Sequence, residues 1–418
     1  MTQENKGQIS WKKNLFFVWL SQLLTLIGFA GVMPFIPIYM REKFGIEDPN
    51  LRGWYAAMFS FFGMISFAIF TPMWGYFADK YGRKVMLLRA SIGGGILLPC
   101  MAFAPSIAWL IAIRFISSMF SGTINAAQTL LASTTPKEHH GFALGTLSSA
   151  VWSGNMLGFL GGGLFVHYFG YTVAFLSCGA AYLLSALLIF FFVREDFVRP
   201  VPAADGEKLS SSLAGEPRKK FAFLPEFSKE VFWILTLFLM MAFSRRFDEA
   251  YLALQVEAIA GKTNTELYTA WISAAAALGG IIAGAGVGHL ADKYSPGKVA
   301  VPAILLSAVL ILGQGFAPSL WVLGGCRFLN FITAGGLEPL FLTMLTKASP
   351  VEKRGQIIGW SASFRTGGLV IASLIGGSAI YHLGLKSVYI IAAAGFLLIL
   401  PLLSKISKMQ NNTSASMR

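Results

Sequence analysis

Long apolar runs separated by short polar connections dominate the chain. They fall at 14–40, 54–77, 85–104, 106–134, 142–166 and 170–193, and again at 231–256, 267–289, 299–317, 319–345, 356–381 and 384–404. Each is long enough to cross a hydrocarbon core of about 30 Å as an α-helix. An open strand would leave its backbone groups without partners in lipid, so the runs are predicted to be helical. The pattern predicts an all-α polytopic membrane protein with twelve transmembrane helices. An even number of spans puts both termini on one side.

The longest polar stretch, 194–230, is rich in charge, Ser, Pro and Ala and has no apolar period. It reads as a linker between two six-helix halves. The expected boundaries are 1–196 for the first half, 197–228 for the linker and 229–418 for the second half. An offset near 214 residues aligns the halves. Pro136 falls on Pro350, Gly145 on Gly359, Gly154 on Gly368, Gly162-Gly163 on Gly376-Gly377 and Gly170 on Gly384. One residue less places Arg114 on Arg327 and Asp79 on Asp292. Coincident glycines are cheap, but Pro, Arg and Asp at nearly one offset indicate a duplication. Such repeats place a substrate site between the halves, near the bilayer midplane.

Composition agrees with this reading. Hydrophobic residues make up 55% and charged residues 13% of 418 residues, whereas soluble domains carry about 25% charge. The net charge of +13 would suit nucleic-acid binding if it were clustered on a soluble surface. Instead most Lys and Arg fall on the termini and the even-numbered connections. The other side holds Arg41, Lys43, Arg52, Lys262 and Lys386. By the positive-inside rule both termini are cytoplasmic, and the basic charge is a topology signal. The expected contacts are the lipid bilayer and a small-molecule substrate, with no nucleic acid. The first span is too long for a signal-peptide core. The three cysteines lie in apolar runs and make no disulfide framework. The five His residues lie at span ends with no metal-ligand spacing, so no metal is expected.

Between the second and third spans stands Gly75-Tyr76-Phe77-Ala78-Asp79-Lys80-Tyr81-Gly82-Arg83-Lys84, with a partial copy, Gly288-His289-Leu290-Ala291-Asp292-Lys293. Gly82 can take the positive φ of a tight turn, and the basic residues hold the loop at the headgroups. This segment resembles the loop signature of the major facilitator superfamily, and the likeness extends over nearly the whole chain. The resemblance implies that Gly75, Asp79, Gly82, Arg83, Lys84 and Asp292 form a gating loop, a latch between the halves remade during alternating access. Three further features resemble the twelve-helix drug/proton antiporter branch, that of bacterial multidrug exporters. They are Gly28 with Pro34 and Pro37 in the first span, Arg114 with Gly122 in the fourth, and Gly145, Gly154, Gly158, Gly162 and Gly163 in the fifth. Prolines permit kinks, and small residues let two helices approach closely. Ser118 stands where the family has Gly, and Phe159 where it has Pro, which leaves the direction of exchange open. The resemblance implies a bacterial plasma (inner) membrane protein working as a monomer.

Charges inside spans each cost roughly 2.5–3.5 kcal/mol near a helix centre, so they should face a partner or a wet cavity. The candidates for proton coupling or substrate contact are Arg114, Arg245, Arg246, Asp248, Glu249, Glu338 and Arg365, with Arg327 the repeat of Arg114. In a continuous helix Arg245 would reach Asp248 and Glu249 at i+3 and i+4. That cluster is either an internally paired knot or a cavity wall. Glu338 is either a proton carrier or the partner of Arg365 or Arg327. Gln22, Asn125, Gln128, Asn155 and Tyr251 are candidate polar cavity contacts. The first span carries no Asp or Glu, so proton coupling would have to use the second half.

No nucleotide-binding module or catalytic constellation stands out, so no cofactor is expected and an enzyme is not. The leading expectation is a secondary transporter that uses the proton gradient to export small amphipathic compounds. The alternatives are a selective transporter of an anionic or zwitterionic metabolite and, in another class, a non-transporting receptor or scaffold.

Overall fold

The structure, a computed structural model, describes residues 10–195, 197, 227–293, 296–350 and 354–416. Side chains are described for all of these except 79, 137, 284–293, 296, 354–356, 407, 408 and 410–416. The 197–228 linker thus lies almost wholly outside the described residues. In chain order the helices are α1 (Trp11–Ala30), α2 (Ile36–Phe44), α3 (Pro49–Tyr81), α4 (Arg83–Cys100), α5 (Ile107–Met119), α6 (Thr123–Thr134), α7 (His140–Phe192) and α8 (Lys229–Arg246). They continue with α9 (Leu252–Ala260), α10 (Thr265–Lys293), α11 (Pro296–Gly315), α12 (Leu320–Gly335), α13 (Leu337–Ala348), α14 (Arg354–Leu383) and α15 (Leu385–Ser416). No strand occurs among the described residues.

Ten segments of the described chain are long and apolar enough to cross a membrane. The difference from the expected twelve has two local causes. Helix α7 runs for 53 residues and contains two apolar arms joined at Gly170. The segment from Lys229 to Ala260 is divided by its charges, with α8 ending at Arg246 and a short 3-10 turn at Glu249–Tyr251 before α9.

The repeat read in the sequence reappears in backbone detail. Ser106 caps α5 through the Trp109 amide, and Ser319 caps α12 through the Val322 amide, both at 3.4 Å. A 3-10 turn precedes α2 at Met33–Phe35, as one precedes α9. Gly170 and Gly384 lie at φ 75° and 79°, in a region that a Cβ makes costly and that glycine enters freely. Each reverses the chain between two apolar arms.

Glycines also set the helix spacing. On α7, a Cβ at Gly154 would stand 2.7 Å from Leu26 Cβ, and one at Gly158 2.7 Å from the Ile27 carbonyl; at Gly162 it would overlap the Gly31 backbone. The i, i+4, i+8 glycine face thus lets α7 lie directly on α1. Gly163 points the other way, against Ala270 and the backbone of α10. In the second half Gly368 packs on the Leu239–Phe243 backbone of α8. Gly145 has nothing within 4 Å, so its place in the pattern has no packing counterpart in this state. The largest apolar core lies almost entirely among residues 231–406, and a separate one lies among residues 15–193.

Close contacts between α1–α7 and α8–α15 run from mid-span, where Gly280 meets Trp152, to one end of the molecule. There Gly53 meets Ile380, Gly377 meets Ala57, and Gly163 meets Ala270. Trp54 and Tyr381 approach with ring centroids 6.0 Å apart. At the end that carries the chain termini, Pro72, Met73, Gly75 and Tyr76 of α3 and Gly141, Phe142, Leu144 and Gly145 of α7 are exposed. Among the described residues, the ion-paired and packed contacts between the two sets of helices lie toward the end of the 45–48 and 261–264 connections.

Candidate functional site

Beneath the ion-paired end lies a cavity of about 340 Å³. It takes residues from α1, α2, α3, α5, α6, α7, α10, α12 and α14 and from the segment between α8 and α9. Pro34 and Pro37 border it where α1 gives way to α2. Pro lacks the amide a continuous helix needs, so the chain opens there and turns side chains inward. Phe29, Phe59, Phe159, Phe247 and Phe331 supply aromatic walls. Arg114, Asn155, Ser273, Tyr251, Arg246, Glu249 and Arg327 supply polar ones. The lining is amphipathic, with cations among rings.

The charges of the α8–α9 segment do not pair as a continuous helix would pair them. Arg246 meets Glu249 at 3.1 Å, but Arg245 and Asp248 turn to other helices. Asp248 forms an ion pair with Arg327 of α12, both buried, and Arg327 also donates to Gln314 Oε1 at 3.1 Å. Arg245 lies 3.7 Å from Glu338 of α13. Glu338 in turn pairs with Arg365 of α14. The i+3 and i+4 expectation for Arg245 is not met: Asp248 is taken by Arg327, Glu249 by Arg246, and Arg245 turns to Glu338. Arg245, Glu338 and Arg365 form a cation–anion–cation bridge over three helices. It lies beside the cavity rather than in its lining, and the Glu338 and Arg365 side chains are 35% and 37% exposed.

Arg114 is the counterpart that has no acid. It is buried, crosses to α3 where Gly63 leaves room for it, and lies 5.4 Å from the Phe29 ring and 5.1 Å from the Phe59 ring. The remaining polar candidates separate. Asn155 and Tyr251 border the cavity. Gln22 is fully buried away from it, with neither amide atom partnered. Asn125 and Gln128 are exposed on α6, and Asn125 borders a second cavity of about 290 Å³.

That second cavity lies at the end that carries the chain termini, between α3, α4 and α6, and includes Gly75 and Arg83. Arg89, which the sequence reading passed over, stacks 3.6 Å from the Trp74 ring there and donates to the Ser121 carbonyl at 3.2 Å. Gly82 takes φ 98° at the turn into α4. Glu195 accepts from the Arg83 and Lys84 amides at 3.1 and 2.7 Å. It thereby caps α4 and ties the loop to the end of α7. The Lys84 ammonium donates to the Phe190 carbonyl at 3.0 Å. The side chains of Asp79 and Asp292 lie outside the described residues.

The ion-paired end holds a second group missed in sequence. Arg52 makes a bidentate bridge to Glu257, both contacts 2.8 Å, and Arg41 stands 2.9 Å from the same carboxylate. Bidentate charge-assisted contacts are the strong ones. His167 meets Glu266 at 2.9 Å and Lys262 meets Glu47 at 2.5 Å. Each joins residues of α1–α7 to residues of α8–α15. The only sequence signal was the presence of both charge signs in these connections.

The profile of the Major Facilitator Superfamily matches residues 18–257 and 242–413. The chain belongs to this superfamily. It is 31% identical over 369 residues to a multi-drug resistance efflux pump PmrA homolog of Lactococcus lactis subsp. lactis (strain IL1403), covering 88% of each chain. It is 32% identical over 387 residues to multidrug resistance protein MdtG of Klebsiella pneumoniae (strain 342), covering 92% of this chain and 91% of that one. Its fold is similar to that of the POT family transporter PepTSo, with a TM-score of 0.75 at 14% identity, covering 96% of this chain and 99% of that one. The protein is a multi-pass membrane transporter of this superfamily, not an enzyme.

Proposed function

We propose that this protein is a secondary active transporter that exports small amphipathic compounds in exchange for protons by alternating access. The observation that carries the reading is an amphipathic cavity between the two sets of helices, closed at one end by ion pairs that join them. Counting both arms of α7 and the broken α8–α9 segment as spans gives twelve helices, six before the linker and six after it. The excess of Lys and Arg at the terminal end puts that end in the cytoplasm. The present state is then inward-facing, and the cluster around Glu257 is the outer gate. The site of action is the plasma membrane of a bacterial cell, and the unit is a monomer. The names of the PmrA homolog and MdtG support the efflux assignment.

Glu338 is the proposed proton site. It bridges Arg245 and Arg365 on two other helices, so protonation would release both links at once and let α8, α13 and α14 move separately. The loop containing Asp79, Gly82 and Arg83 is the proposed inner latch, assembled when the terminal end closes. Glu338→Gln in reconstituted vesicles is the test. Substrate-driven proton movement should disappear while substrate binding persists. Unaltered proton movement would contradict the role of Glu338.

A further inference from the structure

We propose that the cavity recognises an anionic group, a carboxylate carried on an aromatic body, and that Arg114 is the residue that binds it. The inference rests on the transport cavity proposed above and names the class of molecule it takes. Arg114 and Arg327 are equivalent positions, yet their surroundings differ. Arg327 is neutralised by Asp248 and further bonded to Gln314. The position that matches Asp248 in the first half falls at Pro34 or Phe35, and α1 and its following turn carry no acid. Among the described residues Arg114 has no ion-pair partner, its Nε has no hydrogen bond, and only 7% of the residue is exposed.

An unpaired buried cation is expensive. The faces of Phe29 and Phe59, 5.4 and 5.1 Å away, offset part of that cost but leave the donors of a fork-shaped guanidinium unused. A carboxylate entering the cavity would fill them, and the adjacent rings would hold a flat apolar body. The other charges do not compete. Glu249 is held by Arg246 at 3.1 Å, and Asp248 by Arg327. The neighbouring Arg245–Glu338–Arg365 bridge carries one cation more than it has anions. The cavity and its border are thus net positive, which disfavours a purely cationic ligand and suits an anion, or a zwitterion whose ammonium lies elsewhere.

The test uses three matched probes, 2-naphthoate, 2-naphthamide and 2-naphthylmethylammonium, on the full-length protein in lipid nanodiscs. Naphthoate should bind at least tenfold more tightly than the other two. Arg114→Gln should remove that preference, and Arg114→Lys should keep part of it. The ligand-free variants add a readout independent of binding. Arg114→Gln should raise the thermal midpoint, since it removes an uncompensated charge, whereas Arg327→Gln should lower it by stranding Asp248. The proposal is overturned if naphthoate shows no preference over the amide, which includes the case where no probe binds, or if the preference survives in Arg114→Gln. Transport of neutral amphipaths by the same preparations separates the two readings. If they are moved without carboxylate preference, the anion assignment fails and the transporter reading stands.

Discussion

At the residue scale, the buried Arg327–Asp248 pair shows how one charge becomes tolerable only beside another. Replacing one member leaves the other stranded, which typically costs about 3–5 kcal/mol. Asp248→Asn should therefore lower the thermal midpoint of the purified protein sharply, and Asp248→Asn with Arg327→Gln should recover much of the loss. Equal midpoints for the single and double variants would show that the pair carries no such coupling. The sequence made these charges conspicuous, because each interrupts an apolar run. It could not show their pairing, because the partner of Arg245 depends on which charges α12 and α13 bring alongside. Spacing alone would give Asp248 and Glu249; in the fold Arg327 takes the first, Arg246 the second, and Arg245 meets Glu338. Glu195 and Glu257 were illegible for a related reason. Each caps or bridges a residue more than a hundred positions away, and no local pattern marks that.

At the scale of elements, glycine decides how close helices come and where they turn. Gly162→Ala would force a Cβ into the Gly31 backbone and should cost about 1–3 kcal/mol, as overpacking does. Gly161→Ala on the same turn, with open space around it, should be near neutral. Comparable losses in the two would mean that helix contact is not what Gly162 provides. Gly170→Ala meets φ 75° and ψ 172°, a region with a cost of about 1–3 kcal/mol for other residues, and should reduce the folded yield. The spans and glycine spacing were legible because lipid imposes length and composition on every crossing. The interruption of α8 was not, since propensity alone does not foresee a 3-10 turn built around buried ion pairs.

For the whole molecule, the ion pairs at the end opposite the chain termini are the proposed outer gate. Glu257→Gln removes the negative charge that faces both Arg41 and Arg52 and should shift the population toward the outward-open state. Cross-linking between Trp54→Cys and Tyr381→Cys, placed where the two rings now meet, would report this as a reduced yield. An unchanged yield would assign the seal to packing rather than charge. Glu47 lies at the exposed rim of that end. Its hydrogen bond to Lys262, and then the Lys262 charge, hold its carboxyl below the usual range. The contribution of that pair is present above the ordinary carboxylate range and lost only as pH falls through the lowered value. It should stay formed throughout the neutral range, and Glu47→Gln should leave the pH profile of transport between about pH 6 and 8 unchanged.

Proton-coupled export through this cavity would join the gate, the bridge at Glu338 and the anion site in one cycle. The most direct measurement follows the pH gradient of inside-out membrane vesicles containing the wild type or Glu338→Gln while lipophilic cations, carboxylates and zwitterions are added in turn. The account predicts that carboxylate or zwitterionic amphipaths collapse the gradient in the wild type and leave it intact in Glu338→Gln. A gradient that no compound disturbs in wild-type vesicles, or that falls equally in both, would contradict it.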